Sequence, residues 1–236
     1  MAGLKYSGLL AVIVGSIILS IFVYFNPPTE NIISAWLIWD VLSISQILPL
    51  VGLGIALSIL SRPFIIISIV VFIVAYFLAL ENYSRLWIYF ANPSDVSQHL
   101  YLTLPIASFF SGLLLVSPSF LRKYLVFIVS FIIAAMVAIT VKLTDPTLHD
   151  PIIPKLGLSV SIWIIISIMM CAKYFYKAWF PIAIRILGSW LLASSLLFGG
   201  TALAVKYGKM KPQESSTNAV KKELPQDEEL FIPDFN

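Results

Sequence analysis

The chain has 236 residues, a formal charge of +3, 59% of its residues from the set Ala, Val, Ile, Leu, Met, Phe, Trp, Tyr and Cys, and 11% charged. A soluble domain carries about 25% charged residues and no apolar run near 20 residues, so a water-soluble globular protein is excluded, and so small a net charge gives no reason to expect a nucleic-acid partner. The single cysteine, Cys171, excludes an internal disulfide and any paired-cysteine metal or redox motif.

Seven apolar blocks follow one another along the chain. Each is of the order of the roughly 20 residues that cross about 30 Å of hydrocarbon as a helix. None shows the period-two alternation of a barrel strand, so helices are the way these segments satisfy their backbone in lipid. The first block is Ser7–Phe25, closed by "NPP". Lys5 precedes it, but it is long enough to span and has no small-x-small cleavage site after it, so it reads as a retained helix.

The second block runs from about Val41 to Leu60, preceded by "SAWLIWD". It is the most polar inside: Ser43, Ser45, Gln46 and Pro49 lie close together, with Gly52 and Gly54 beyond. Pro49 lacks a backbone donor and is expected to kink this helix. The polar groups would then bond neighbouring helices while the glycines allow close approach; the competing reading is a polar pocket or permeation step at Gln46 and Pro49. The third block is Pro63–Leu80, and the connection after it, "ENYSRLWIYFANPSDVSQH", is expected to lie along the membrane surface. Trp87 and Tyr89, with Trp36 and Trp39, would form a headgroup-level aromatic belt.

The fourth, fifth and sixth blocks are about Leu100–Val116, Tyr124–Val141 and Leu156–Ala172. Their central turns hold no acid, base or histidine, which is the composition of packing helices rather than of a proton relay or ion pathway. Met136, Met169 and Met170 are soft-metal donors in principle but read as gap-filling core residues. Cys171 reads as a small packing residue. The two histidines, His99 and His149, stand beside loop acids including Asp150. A surface metal site from His99, His149 and Asp150 is conceivable, but no ligand pair has i, i+4 spacing, and solvated side chains are the better reading. Axial haem ligation would need histidines within the bundle.

The seventh block, about Ile182–Val205, opens with Pro181 and Arg185. Arg185 can extend its side chain to the lipid phosphates. Gly188, Ser189 and Ala193 suit tight helix packing, with Trp190 as a knob beside them. Beyond it "KYGKMKPQESSTNAVKKELPQDEELFIPDFN" is polar and charged and is expected to be disordered.

Lysines and arginines set the orientation. Lys5 and the connections after blocks two, four and six carry Arg62, Arg122, Lys123, Lys173 and Lys177, whereas those after blocks one, three and five carry Arg85, Lys142 and Lys155. The N-terminus is therefore expected in the cytoplasm and the tail outside.

The seventh block also resembles the last helix of the HupE/UreJ family of small membrane proteins, whose members often close with an aromatic residue, Arg-x-x-Gly-Ser-Trp and an apolar run. Here that segment is "FPIAIRILGSWLLASSLLFGG", with Arg185, Gly188, Ser189 and Trp190. "QILPLVGLGIALSIL" is similar to the family's early helix, and "LTLPIASFFSGLLLVSPSFLRKYLVFIVSFIIAAM" to its central pair. The likeness covers roughly Ile33 to Ala204 and is mostly hydrophobic pattern. It implies the family's scaffold. The nickel chemistry associated with the family relies on His and Asp in the early helix and a later His motif. On this chain those positions fall near Trp39, Gln46 and "IIAAMVAIT", which carry none of these ligands.

The expectations are thus an all-α integral membrane protein with a seven-transmembrane-helix bundle over residues 1–205 and a polar tail over 206–236. It would be a multi-pass protein of the cell (inner) membrane. The function expected is non-catalytic, an accessory or structural subunit of a larger membrane complex, with lipid and other integral subunits as partners. The tail ending "DEELFIPDFN" would be a docking segment. No cofactor is expected. The alternative is a divalent metal permease of nickel type, and a third reading is a quinone- or haem-associated subunit.

Overall fold

Seven helices form over the seven apolar blocks, with breaks at turn residues. The structure, a computed structural model, describes residues 7–83, 85, 100–147, 150–177 and 179–206. Helix α1 covers Ser7–Phe25 and stops at the Asn-Pro-Pro turn. Helix α2 (Ile32–Trp36) starts at Asn31, whose side-chain oxygen accepts the Ile33 N–H, and runs into a π-helical turn at Leu37–Val41. Then come α3 (Ile44–Ser58), α4 (Arg62–Glu81), α5 (Leu100–Val116), α6 (Ser119–Leu143), α7 (Ile152–Tyr174) and α8 (Phe180–Lys206). No strand occurs among the described residues. Met1–Ala202 packs as one unit; Leu203–Asn236 forms a second, of which residues 203–206 are described. Trp87, Tyr89, His99, His149 and the tail beyond 206 lie outside the described residues.

Five helices, α1, α4, α6, α7 and α8, are long and apolar enough to cross a membrane, and a sixth crossing results if the bent pair Ile32–Val41 and Ile44–Ser58 counts as one. The expected seventh, α5, has 17 residues. At 1.5 Å per residue that is about 26 Å, short of the roughly 30 Å hydrocarbon layer. Length and composition alone therefore support five or six spans.

The structure adds one bend and moves one helix start. The sharp bend is 60° and separates Val41 from Ile44, ahead of Pro49. Leu42 N–H reaches back to Leu37 O in a π-type bond, and Ser43 Oγ donates to Asp40 O. These bonds spend the groups that would otherwise carry the helix straight on. Pro49 lies within α3, and its carbonyl accepts from Ser111 Oγ of α5 at 3.1 Å. The moved start is that of α6, which begins at Ser119 rather than Tyr124, so Arg122 belongs to a helix and not to a loop.

The main pairs in contact are α4 with α6, α3 with α7, α5 with both α3 and α6, and α1 with α7. The centre holds Leu53, Leu57, Phe72, Tyr76, Val126 and Ile133, all almost fully buried. Its one long polar side chain, Tyr76, donates to Pro154 O at 2.8 Å, a carbonyl in the first turn of α7. Gly52 meets Ser111 of α5 and Gly54 meets Ile165 and Ile168 of α7, the close approaches that the sequence leads one to expect.

Helix α1 stands at the margin. Gly15 lies against the Trp163 ring, and Trp163 Nε1 donates to Ala11 O at 3.1 Å. Most other α1 side chains face outward, including Leu9, Leu10, Ile17, Ile18 and Ile21. Trp163→Phe keeps a ring under Gly15 but removes the donor. We expect faster amide hydrogen exchange along α1 with little change in α3 and α6, the loss being about 1 kcal/mol, the net worth of one hydrogen bond. Unchanged exchange in α1 would refute this account of how it is held.

Candidate functional site

Two regions collect the polar residues of the bundle, one at each end. The first is the end formed by α2, the π-helical turn, the start of α5, the end of α6 and the start of α7. Trp36 Nε1 donates to Thr144 Oγ1 at 2.9 Å, and Thr144 Oγ1 donates to Thr140 O at 3.0 Å. Thr140 Oγ1 lies 3.1 Å from Thr103 Oγ1 of α5 and donates to Met136 O at 2.9 Å. Helical spacing places Thr140 and Thr144 on one face of α6. This ladder was missing from the reading of the sequence, although the i, i+4 threonines in "ITVKLTDPT" carry its signal.

Beyond it lies Asp145, whose side chain is 3% exposed. Its Oδ1 accepts from Thr147 N and Thr147 Oγ1, and its Oδ2 stands 3.7 Å from Lys142 Nζ. Asp150 Oδ1 accepts the Ile152 N–H at 2.9 Å and so starts α7. Asp150 and Asp145 are engaged in turn and helix-start bonds. His99 and His149 lie outside the described residues, and among the described ones no group of three or more His, Cys, Asp or Glu side chains could hold a metal ion.

Gln46, in the first turn of α3, is 3% exposed, and its Oε1 is buried without a hydrogen-bond partner among the described residues. An unpaired buried acceptor costs about 1–3 kcal/mol. This is the polar feature of the broken helix that packing leaves unexplained. Deeper in the bundle the hydroxyls of Ser58, Ser68 and Ser161 bond carbonyls three or four residues back on their own helices, which ties up their polarity locally. An apolar cavity of about 10 Å³ between Leu53, Phe72 and Ile165 has room for one water at most. Met169 is buried and Met136 and Met170 half-buried in the core; Cys171 is a half-buried free cysteine whose backbone nitrogen lies close to Gly8 of α1.

The opposite end carries the second region. There Arg122, in the first turn of α6, folds back over the end of α5. Its Nε donates to Leu114 O at 3.1 Å, and its Nη2 donates to Leu115 O at 2.9 Å and Ser117 O at 2.6 Å. A helix ends with carbonyls that have no helical partner and a partial negative charge, and one guanidinium here satisfies two of them together with the Ser117 carbonyl just beyond the helix. Helix α8 presses on the same place. A Cβ on Gly112 would stand 2.8 Å from Gly188 O, and one on Gly188 would stand 3.0 Å from Gly112 O and 2.8 Å from Leu115 Cβ. The two glycines make a reciprocal crossing that no larger residue fits.

The inward face of α8 reads Phe180, Ile184, Gly188, Leu191 and Ser195, a three-to-four spacing. Ser189, Trp190 and Ala193 therefore face outward, with Trp190 75% exposed, and Arg185 is exposed one turn before the crossing. Of the four residues Arg185, Gly188, Ser189 and Trp190, only Gly188 packs within the bundle.

No protein-family model matches the chain, and neither a curated protein nor a solved structure is similar to it.

Proposed function

We propose that the chain is a non-catalytic accessory or structural subunit of a larger membrane complex, built on a scaffold that resembles the HupE/UreJ layout. The observation that carries this reading is the outward strip of α8. Ser189 and Ala193, four residues apart and exposed, form a shallow small-residue groove beside the exposed Trp190. Such a groove admits the backbone of a neighbouring helix, and van der Waals packing at small residues drives helix association in lipid. In the same reading α5 crosses as a seventh, tilted-neighbour-supported span, the N-terminus is cytoplasmic in the inner membrane, and the tail "DEELFIPDFN" docks outside on a partner.

The test is recovery of partner subunits from membranes in mild detergent. Ser189→Leu with Ala193→Leu should leave the thermal midpoint of the purified chain unchanged and lower stoichiometric recovery of its membrane partners at least fivefold. A wild-type chain that purifies alone, or partner recovery indifferent to the double substitution, sinks the reading.

One observation favours a second reading, the nickel-type permease: the unpaired Oε1 of Gln46 beside the broken helix. Gln46→Leu separates the two. If the residue serves packing only, the apolar replacement removes an unsatisfied acceptor and is neutral or slightly stabilising, with assembly intact. If it lines a permeation step, divalent-metal uptake falls in a chain that still folds, and His99→Ala with His149→Ala should lower it too.

A further inference from the structure

The basic end of the bundle holds more positive charge than its packing uses. Contacts place the starts of α4, α6 and α8 and the ends of α3, α5 and α7 at one end: Phe64 stacks on Phe127, Arg122 caps α5, and Gly188 crosses Gly112. Arg62, Arg122, Lys123, Lys173, Lys177 and Arg185 are found there, and among the described residues no Asp or Glu. The acids Glu30, Asp40, Glu81, Asp145 and Asp150 lie at the other end. Two like-charged pairs are close enough for their charges to interact, Arg122 with Arg185 and Lys173 with Arg62. Bringing cations together at the edge of a low-dielectric layer is unfavourable unless a counter-ion joins them.

The first pair is built rather than accidental. Arg122 is 9% exposed and fixed by three carbonyls through Nε and Nη2, which leaves Nη1 without a partner among the described residues. Arg185 is carried beside it by the glycine crossing one turn further on, where any side chain larger than hydrogen would hold α8 off. Arg185 itself is exposed, with no bonded partner among the described residues. A buried guanidinium held by three carbonyls and an exposed one close to it are a pair of donors suited to a tetrahedral oxyanion. The depth fits a lipid: Tyr174, Phe175, Tyr176 and Trp179 are all about half exposed at the same end, as in an interfacial belt.

We infer that Arg122 and Arg185, where α5, α6 and α8 meet, bind a phosphate group, with the headgroup of an anionic phospholipid as its natural source. Basic pockets between membrane helices recognise such headgroups. The site is independent of the subunit reading, since it needs no protein partner.

The experiment uses the full chain, purified and stripped of lipid in a neutral detergent, with the thermal unfolding midpoint followed during titration. The probes are phosphatidylglycerol, phosphatidylcholine and inorganic phosphate. Phosphatidylglycerol is expected to raise the midpoint where phosphatidylcholine does not. Arg185→Gln should shift the half-saturating phosphatidylglycerol concentration upward by about fivefold, the effect of one basic residue at a headgroup. Lys123→Gln removes the same charge at the same end from an exposed side chain of α6 outside the arginine pair and should shift it less than twofold. Protection by inorganic phosphate that Arg185→Gln abolishes supports the site with a soluble anion as its ligand; protection by the lipid alone assigns it to the membrane. Equal titrations for wild type and Arg185→Gln, equal effects of the Arg185 and Lys123 substitutions, or equal protection by phosphatidylcholine each overturn the proposal.

Discussion

Gly188→Leu is expected to be among the most damaging single substitutions in the bundle, lowering stability by about 3 kcal/mol, the upper part of the range for overpacking. The new Cβ would stand 2.8 Å from Leu115 Cβ, 2.9 Å from Val116 Cγ2 and 3.0 Å from Gly112 O. Shortening Leu115 to alanine gives no relief, because the atom in the way is its Cβ, and a backbone carbonyl cannot be shortened at all. Helix α8 would have to move off α5, and Arg185 would leave Arg122 with it. Gly200→Leu is the matched control, since nothing lies within 4 Å of a Cβ there. It should be neutral or slightly stabilising, because leucine favours the helix over glycine by about 1 kcal/mol. Denaturant or thermal unfolding of the two variants in one detergent decides the matter. Equal stabilities would mean that the crossing at Gly112 and Gly188 is not a tight one.

Arg122→Gln should cost nearly as much, about 2 kcal/mol net. Three carbonyls at the end of α5 lose a charged donor, and hydrogen bonds to charged groups are worth about 1.5–3 kcal/mol each before compensation. Against this stands relief of the repulsion from Arg185, which water around the exposed Arg185 screens, so the loss of the cap wins. Arg122→Lys keeps the charge but is a point donor that cannot span Leu114, Leu115 and Ser117 together, so it should recover less than half of the loss. A double-mutant cycle with Arg185→Gln isolates the pair. Arg185→Gln should destabilise the lipid-free chain less when Arg122 is present than when it is glutamine, because it then also removes a repulsion. A coupling of the opposite sign would show that the two guanidiniums do not oppose each other in the folded protein.

Helix positions were legible in the sequence because an apolar run of span length has few other ways to satisfy its backbone in lipid. The observed ends of α1 and α4 fall within one residue of the blocks Ser7–Phe25 and Pro63–Leu80. Pro49, where a kink was expected, lies within α3, and a separate 60° break that the sequence reading did not contain precedes that helix. The Leu42 to Leu37 bond and the Ser43 hydroxyl divert the chain at that break. The start of α6 was placed too late because Arg122 and Lys123 read as loop charges; a guanidinium that caps a preceding helix is buried despite its charge.

The sequence by itself determined the class of solvent, the helices and the gathering of Lys and Arg between alternate blocks, since each depends on composition over tens of residues. Tertiary structure alone decided which small residues face inward. A helix with apolar residues all round has no stripe to point it, so Gly188 and Ser189 are equivalent in sequence and opposite in the fold. It also decided what the charges do: Arg122 is spent on the end of α5, and Arg185 is set beside it by a glycine contact, a juxtaposition of residues from two helices that no local pattern encodes.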